Sequence, residues 1–129
     1  MIKIVLAILM LSGTLWALEW AKDFDTALAT AEKEHKNVML LVEGEHCRWC
    51  KKMKSTTLSD KSIEKKLRNY VVVKVLRENA NVMSKLPPIG GVPTIFFMKP
   101  DKVLLQETLG YETVSDFNAT LNSIEKKIQ

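Results

Sequence analysis

Three short apolar runs limit the fold of this chain more than any other feature of its sequence. They are Val38–Val42, Tyr70–Leu76 and Thr94–Met98, and each has the length of a strand rather than of a helix. The first is apolar throughout and the second is rich in β-branched residues. Both patterns are typical of strands covered on both faces, as in the centre of a largely parallel sheet. Such strands require helices to cover them.

Four other segments have helical periodicity or helix-capping residues. They cover residues 23–35, 47–53, 60–68 and 113–128, with N-caps predicted at Asp23, Asp60 and Thr113. A Ser/Thr-rich joint at 55–59 separates the second helix from the third. Pro100–Lys102 predicts a turn, so 103–107 should pair back on the third strand as a hairpin. The sequence therefore predicts one α/β domain built on a single sheet.

The N-terminus has the three-part layout of a secretory signal. Lys3 precedes the apolar run Ile4–Leu11, and a break at Ser12–Thr14 leads to Ala17. We therefore expect a signal peptide at residues 1–17 and a mature domain at residues 18–129 in the periplasm. The apolar stretch is shorter than the roughly 20 residues that a spanning helix needs. An uncleaved signal that anchors the protein is the less favoured alternative.

The two cysteines of the chain, Cys47 and Cys50, directly follow the first apolar run and its short exit loop. If a helix begins at Cys47, this spacing puts both side chains on one face, close enough for a disulfide. The helix dipole and the neighbouring cations favour a Cys47 thiolate. We expect Cys47 to attack a substrate disulfide and Cys50 to resolve the mixed disulfide.

A structural staple and a metal site are the alternatives for this pair. A disulfide that closes so short a loop contributes only about 2 kcal/mol, and a domain of this size does not need it. His46 could supply a third metal ligand, but no second Cys/His pair has a suitable spacing. Covalent haem attachment requires His where Lys51 stands. We therefore expect no metal and no other cofactor.

The motif HCRWC after an apolar strand, with Gly91–Thr94 before another apolar strand, resembles the thioredoxin superfamily. The segments HCRWCKKMKSTTLSD and VVVKV are similar to secreted thioredoxin-related proteins and to the C-terminal domain of the periplasmic disulfide-reducing electron-transfer protein. The resemblance spans about 20–128. It implies a thioredoxin-like fold, with a central mixed β-sheet flanked by helices. It also implies a cis Pro93 beside the cysteines and a Val92 backbone that pairs with extended substrate.

Two positions depart from the pattern of this superfamily. Leu41 stands where thioredoxin has a buried Asp, which leaves open how Cys50 loses its proton. Glu43 or a water molecule is one answer, and a solvated Glu43 with no such role is the other.

The second departure is His46, which stands where many members carry Trp before the first Cys. His46 either stabilises the Cys47 thiolate when protonated or packs on the substrate-binding surface. Trp49 is expected to pack and to dock substrate rather than to take part in the chemistry.

These features together predict a periplasmic thiol-disulfide oxidoreductase that acts as a reductase. Its expected partners are protein thiols and disulfides and a membrane-bound electron donor or acceptor. The net charge of +4 comes from interspersed Lys, Arg, Asp and Glu, so we expect no nucleic acid partner, and we expect a monomer. A disulfide oxidase or isomerase, and a non-catalytic metal- or partner-binding thioredoxin-like module, are the alternatives.

Overall fold

The computed structural model describes residues 17–128. The predicted signal peptide therefore lies outside the described residues, except for Ala17. Within the described range, no helix is long and apolar enough to cross a membrane. The elements are α1 Phe24–Glu34, β1 Asn37–Glu43, α2 Arg48–Lys52, a π-helical turn Met53–Thr57, α3 Lys61–Leu67, β2 Tyr70–Leu76, α4 Ala80–Met83, β3 Thr94–Met98, β4 Leu104–Leu109 and α5 Val114–Ile128.

The strands form one four-stranded sheet in the order β2-β1-β3-β4. The pair β1–β2 is parallel, whereas β1–β3 and β3–β4 are antiparallel. The sheet is therefore mixed, which confirms the predicted thioredoxin-like architecture. The short turn between β3 and β4 accounts for their antiparallel pairing, because parallel strands need a longer crossover connection.

Strand β2 is buried only over its first half. Its residues 70–73 are buried, but Lys74 and Leu76 are exposed, so the expectation of a fully buried strand is half wrong. The reason is position, since β2 ends the four-stranded order. The N-terminal segment partly covers that edge: Trp20 bridges to Val72, and the Ala21 N–H donates to the Val72 carbonyl at 2.8 Å.

Alternate residues of β1 enter two separate cores, because successive side chains of a strand point to opposite faces. Met39 and Leu41 face the core covered by α3, α5 and the π-helical turn. Val38, Leu40 and Val42 face the core covered by α1 and α4. Helices thus lie on both faces of the sheet, which confirms the predicted architecture.

The predicted N-caps are present. The carboxylate of Asp23 accepts a bond from the Thr26 N–H at 2.8 Å, and Asp60 accepts from the N–H groups of Ser62 and Ile63. The hydroxyl of Thr113 accepts from the Asp116 N–H at 3.2 Å. The bond from the Thr26 N–H holds the pKa of Asp23 below its usual range, and the hydroxyl of Ser62, with the N–H groups of Ile63 and Ser62, does the same for the pKa of Asp60.

The predicted joint at 55–59 is wrong, because the helical chain continues from α2 through the π-helical turn. The side chains of Met53 and Thr57 are fully buried, so this turn faces the core. Its hydroxyls donate to backbone carbonyls: Thr57 donates to Glu112 at 2.6 Å, and Thr56 donates to Lys52 at 2.6 Å. Those bonds allow a Ser/Thr-rich segment to stay helical.

The buried hydroxyl of Tyr70 gives a first testable prediction. It has no hydrogen-bond partner among the described residues, and burial raises its pKa. We expect Tyr70→Phe to leave the free energy of unfolding unchanged or to raise it by up to about 1 kcal/mol, because no bond is lost. Urea unfolding measures the change.

Thr57→Val is the matched control for Tyr70→Phe. It removes a buried hydroxyl whose bond to the Glu112 carbonyl is present, so it should cost about 1–2 kcal/mol. An equal loss of stability in both variants would contradict the view that Tyr70 has an unpaired hydroxyl.

Candidate redox site

Cys47 and Cys50 lie where β1 ends and α2 begins. Cys47 is the N-cap of α2 rather than its first helical residue, which corrects the expected start of the helix, and its sulfur accepts the Cys50 N–H at 3.1 Å. The two cysteines form a disulfide with their Cα atoms 5.2 Å apart. Cys50 is fully buried, whereas Cys47 keeps 9% of its surface exposed. A partner sulfur can therefore approach Cys47 but not Cys50.

The loop between β1 and Cys47 is held by the segment that follows β2. The Glu45 N–H donates to the Glu78 carboxylate at 3.1 Å, and this bond is the main reason that the pKa of Glu78 is lowered. A Cβ at Gly44 would lie 3.2 Å from Nε of Arg77 and 3.4 Å from Cγ2 of Val92, so a larger residue there would require the Arg77 side chain to shift. The bond between the Glu45 N–H and the Glu78 carboxylate thus fixes the loop that leads to Cys47.

A shallow, largely apolar pocket of about 360 Å³ lies against α2, which contributes Trp49 to its lining. Its lining residues are Trp49, Val92, Pro93, Gly110 and Tyr111. The Val92–Pro93 peptide bond is cis, and the Pro93 carbonyl accepts the Gly110 N–H at 2.8 Å. The structure thus brings three predicted substrate-binding residues together. His46, the fourth, is exposed on the loop before Cys47 and does not line the pocket.

A larger cavity of about 730 Å³ lies elsewhere, between the N-terminal segment, α1 and the start of β2. Leu18, Glu64 and Tyr70 are among its lining residues, and neither cysteine is. The volume of a cavity therefore does not identify the redox site in this protein. We assign the candidate site to the smaller pocket because it contains Trp49, which lies between the two cysteines in sequence.

The carboxylate of Glu43 is buried and paired. Its Oε1 lies 2.6 Å from Nζ of Lys54, and Glu43 is only 8% exposed. The interpretation of Glu43 as a solvated residue is therefore wrong. Leu41, two residues earlier, is fully buried in an apolar core. The ion pair joins the end of β1 to the helical segment that carries Cys50, so a buried carboxylate is present although the usual Asp is not.

Residues 24–125 match the sequence pattern of the thioredoxin-like domain. This chain belongs to the thioredoxin-like family. Solved structures agree with this assignment. The chain superposes on a thioredoxin from Thermus thermophilus with a TM-score of 0.73 and 25% identity, over 86% of this chain and 89% of that one.

Two further structures share the fold with this thioredoxin-like protein. The C-terminal domain of DsbD from Neisseria meningitidis, in its oxidised form, has a TM-score of 0.60 and 24% identity, over 78% of this chain and 89% of that one. The DsbH oxidoreductase has a TM-score of 0.67 and 17% identity, over 84% and 85%. No curated protein matches the chain in sequence.

Sequence reasoning missed three residues at the site of this thioredoxin-like protein: Lys54, Gly110 and Tyr111. Gly110 has a φ of 91° and directly follows β4. The signal that could have found it is its place directly after the strand that pairs with β3. Within 17–128, no group of three or more His, Cys, Asp and Glu side chains is arranged to hold a metal ion.

Proposed function

We propose that this thioredoxin-like protein is a periplasmic thiol-disulfide reductase for other exported proteins. The observation that carries the proposal is the Cys47–Cys50 disulfide, in which Cys47 keeps 9% of its surface exposed and Cys50 is fully buried, next to an apolar pocket lined by the intervening Trp49. This difference in exposure suits a redox pair in which only Cys47 reacts with a partner sulfur. The DsbD domain that shares this fold is solved in both an oxidised and a reduced form, which supports a redox role.

The proposed cycle starts from the dithiol form. The Cys47 thiolate attacks one sulfur of a substrate disulfide, that S–S bond breaks, and the leaving substrate thiolate takes a proton. Cys50 then loses its proton and attacks the Cys47 sulfur. The mixed disulfide breaks, the Cys47–Cys50 disulfide forms, and the second substrate thiol leaves with a proton. Two electrons pass to the substrate, and a membrane-bound dithiol partner restores the dithiol form.

Each binding residue has a proposed part in this cycle. Trp49, Val92 and Pro93 hold the substrate segment in the pocket, with the Val92 backbone pairing to it. His46, exposed directly before Cys47, stabilises the thiolate when its imidazole is protonated. The cations Arg48 and Lys51 are exposed on α2 and act in the same direction.

Glu43 is proposed as the group that receives the Cys50 proton. It is a buried carboxylate tied to the helical segment of Cys50 through Lys54, and Leu41 cannot serve. We expect Glu43→Gln to slow resolution of the mixed disulfide by roughly 10²-fold, a typical contribution of general base catalysis. The attack by Cys47 should keep its rate. Single-turnover quench kinetics, followed by mass spectrometry of the mixed disulfide, separate the two steps.

Glu45→Gln is the control, because Glu45 is an exposed carboxylate on the same loop. It should leave both steps unchanged. Equal resolution rates in Glu43→Gln and the unmodified protein would contradict the assignment of the proton to Glu43.

Insulin reduction tests the proposed activity and its direction. The protein purified from the periplasmic fraction should reduce insulin with a dithiol as electron source. It should also reduce a peptide disulfide faster than it oxidises the matching dithiol peptide. Faster oxidation would make it an oxidase, and no turnover in either direction would favour a non-catalytic module. N-terminal sequencing of the same sample tests removal of residues 1–17.

A further inference from the structure

Lys52 occupies an unusual position at the rim of the pocket. Its ammonium lies 5.0 Å from the centre of the Trp49 ring and 4.7 Å from the centre of the Tyr111 ring. The two rings are themselves in contact, with centroids 5.6 Å apart, and both line the pocket. The charge therefore stands over two aromatic faces at the entrance to the proposed substrate site.

The partners of Tyr111 fix this arrangement. Its hydroxyl lies 3.3 Å from Oγ1 of Thr56, on the helical turn that follows Lys52. Hydrogen bonding to Thr56 and Thr57 and the nearby Lys52 charge hold the pKa of Tyr111 below its usual value. A lysine held over two rings loses less side-chain freedom on binding a partner than a freely moving one. Its charge is thus pre-organised for a ligand.

The surroundings of Lys52 are rich in unpaired positive charge. Among the residues that the structure describes, neither Lys52 nor its helical neighbours Arg48 and Lys51 forms an ion pair. Two carboxylates on neighbouring elements already have partners: Glu43 pairs with Lys54, and Glu112 accepts from the Thr120 hydroxyl at 3.1 Å. A carboxylate from outside the protein would complete the group.

We propose that Lys52 selects protein disulfides whose cysteines are flanked by aspartate or glutamate. The inference rests on the proposed reductase function and names the substrate class for the same site. A partner segment lying in the pocket places a flanking carboxylate against the ammonium of Lys52, while its apolar side chains contact Trp49 and Tyr111. A flanking lysine would instead meet three cations of α2, which disfavours basic segments.

Three peptide disulfides that differ only in one flanking residue, Asp, Ser or Lys, test this inference. An exposed ion pair changes an equilibrium by up to about fivefold. We expect kcat/KM for the Asp peptide to exceed that for the Ser peptide by about three- to fivefold at low salt, a range set by such pairs. The Lys peptide should be the poorest. The preference should appear in KM and should vanish near 1 M salt, where screening acts within about 3 Å.

Two variants of Lys52 separate its charge from its shape. Lys52→Arg should keep the preference for the Asp peptide, and Lys52→Gln should reduce the Asp and Ser peptides with equal kcat/KM. Lys65→Gln, at an exposed position on α3, is the control and should behave like the unmodified protein. A full, salt-sensitive preference in Lys52→Gln would overturn the inference. Equal reduction of all three peptides would overturn it too, but would leave the reductase proposal standing, whereas no reduction of any peptide would overturn both.

Discussion

Replacing Cys47 with serine lowers disulfide reduction by this protein to the rate of the uncatalysed exchange, the largest loss of activity that we expect from one substitution. A serine hydroxyl is not ionised at neutral pH and forms no mixed disulfide, so the first step cannot occur. Cys50 cannot replace Cys47, because it is fully buried. Insulin reduction, measured by turbidity beside a reaction without protein, detects the loss.

Cys50→Ser is the matched variant and should fail at a later step. Its Cys47 still attacks, but no internal thiol resolves the product, so a mixed disulfide with the substrate should accumulate. Mass spectrometry of the trapped complex should show one substrate chain for each protein. Sustained turnover by Cys47→Ser, or a trapped complex in Cys47→Ser and not in Cys50→Ser, would reverse the assigned roles.

The second large effect concerns stability. Phe97 on β3 is fully buried, and its ring contacts those of Tyr70 at 5.7 Å and Phe117 at 6.1 Å between centroids. Phe97→Ala should lower the free energy of unfolding by about 3–5 kcal/mol, because the site loses both its apolar burial and its packing. That loss is a large part of the 5–15 kcal/mol that domains typically have. Urea unfolding followed by circular dichroism measures it.

Leu104→Ala is the control for this prediction. Leu104 is 42% exposed at the start of β4, so its truncation should change the free energy of unfolding by no more than about 0.5 kcal/mol. A cost below about 1 kcal/mol for Phe97→Ala, against the 3–5 kcal/mol expected, would mean that the core on this face of the sheet is not packed as described.

The sequence was sufficient for the positions of the strands and for most helix ends. Its three apolar runs coincide with β1, β2 and β3, because burial on both faces leaves a local signal in the residues themselves. The caps at Asp23, Asp60 and Thr113 were also readable, since a cap depends on a side chain and a backbone N–H only a few residues away.

Long-range features could not be read in the same way. The directions in which β1 pairs with β2 and β3, and the half-exposed edge of β2, depend on which strands become neighbours, which no local pattern encodes. Only the β3–β4 hairpin could be predicted from a local turn. The helical course of 53–57 depends on Thr57 reaching the Glu112 carbonyl, a residue 55 positions later. Ser and Thr side chains locally favour loops over helix. Here the long-range bond from Thr57 to the Glu112 carbonyl outweighs that preference.

The residues of the candidate site also divide into those that a local sequence motif predicts and those that only the folded chain brings together. The cysteine pair and the Val92–Pro93 dipeptide could be recognised from sequence because each is a short motif. The buried pair of Glu43 with Lys54 could not, since an isolated Glu at a strand end is exposed in most proteins. Tyr111 was missed for a similar reason: only the folded chain places it 5.6 Å from Trp49.

The most direct test of the account is the equilibrium redox potential of the Cys47/Cys50 pair, measured by titration against glutathione with alkylation of free thiols as the readout. We expect a reversible two-electron transition between about −270 and −120 mV, the range of thioredoxin-like oxidoreductases, nearer its lower end for a reductase. A pair that stays oxidised in excess dithiothreitol, or never equilibrates with glutathione, would be a structural staple and would contradict the assignment of a redox site.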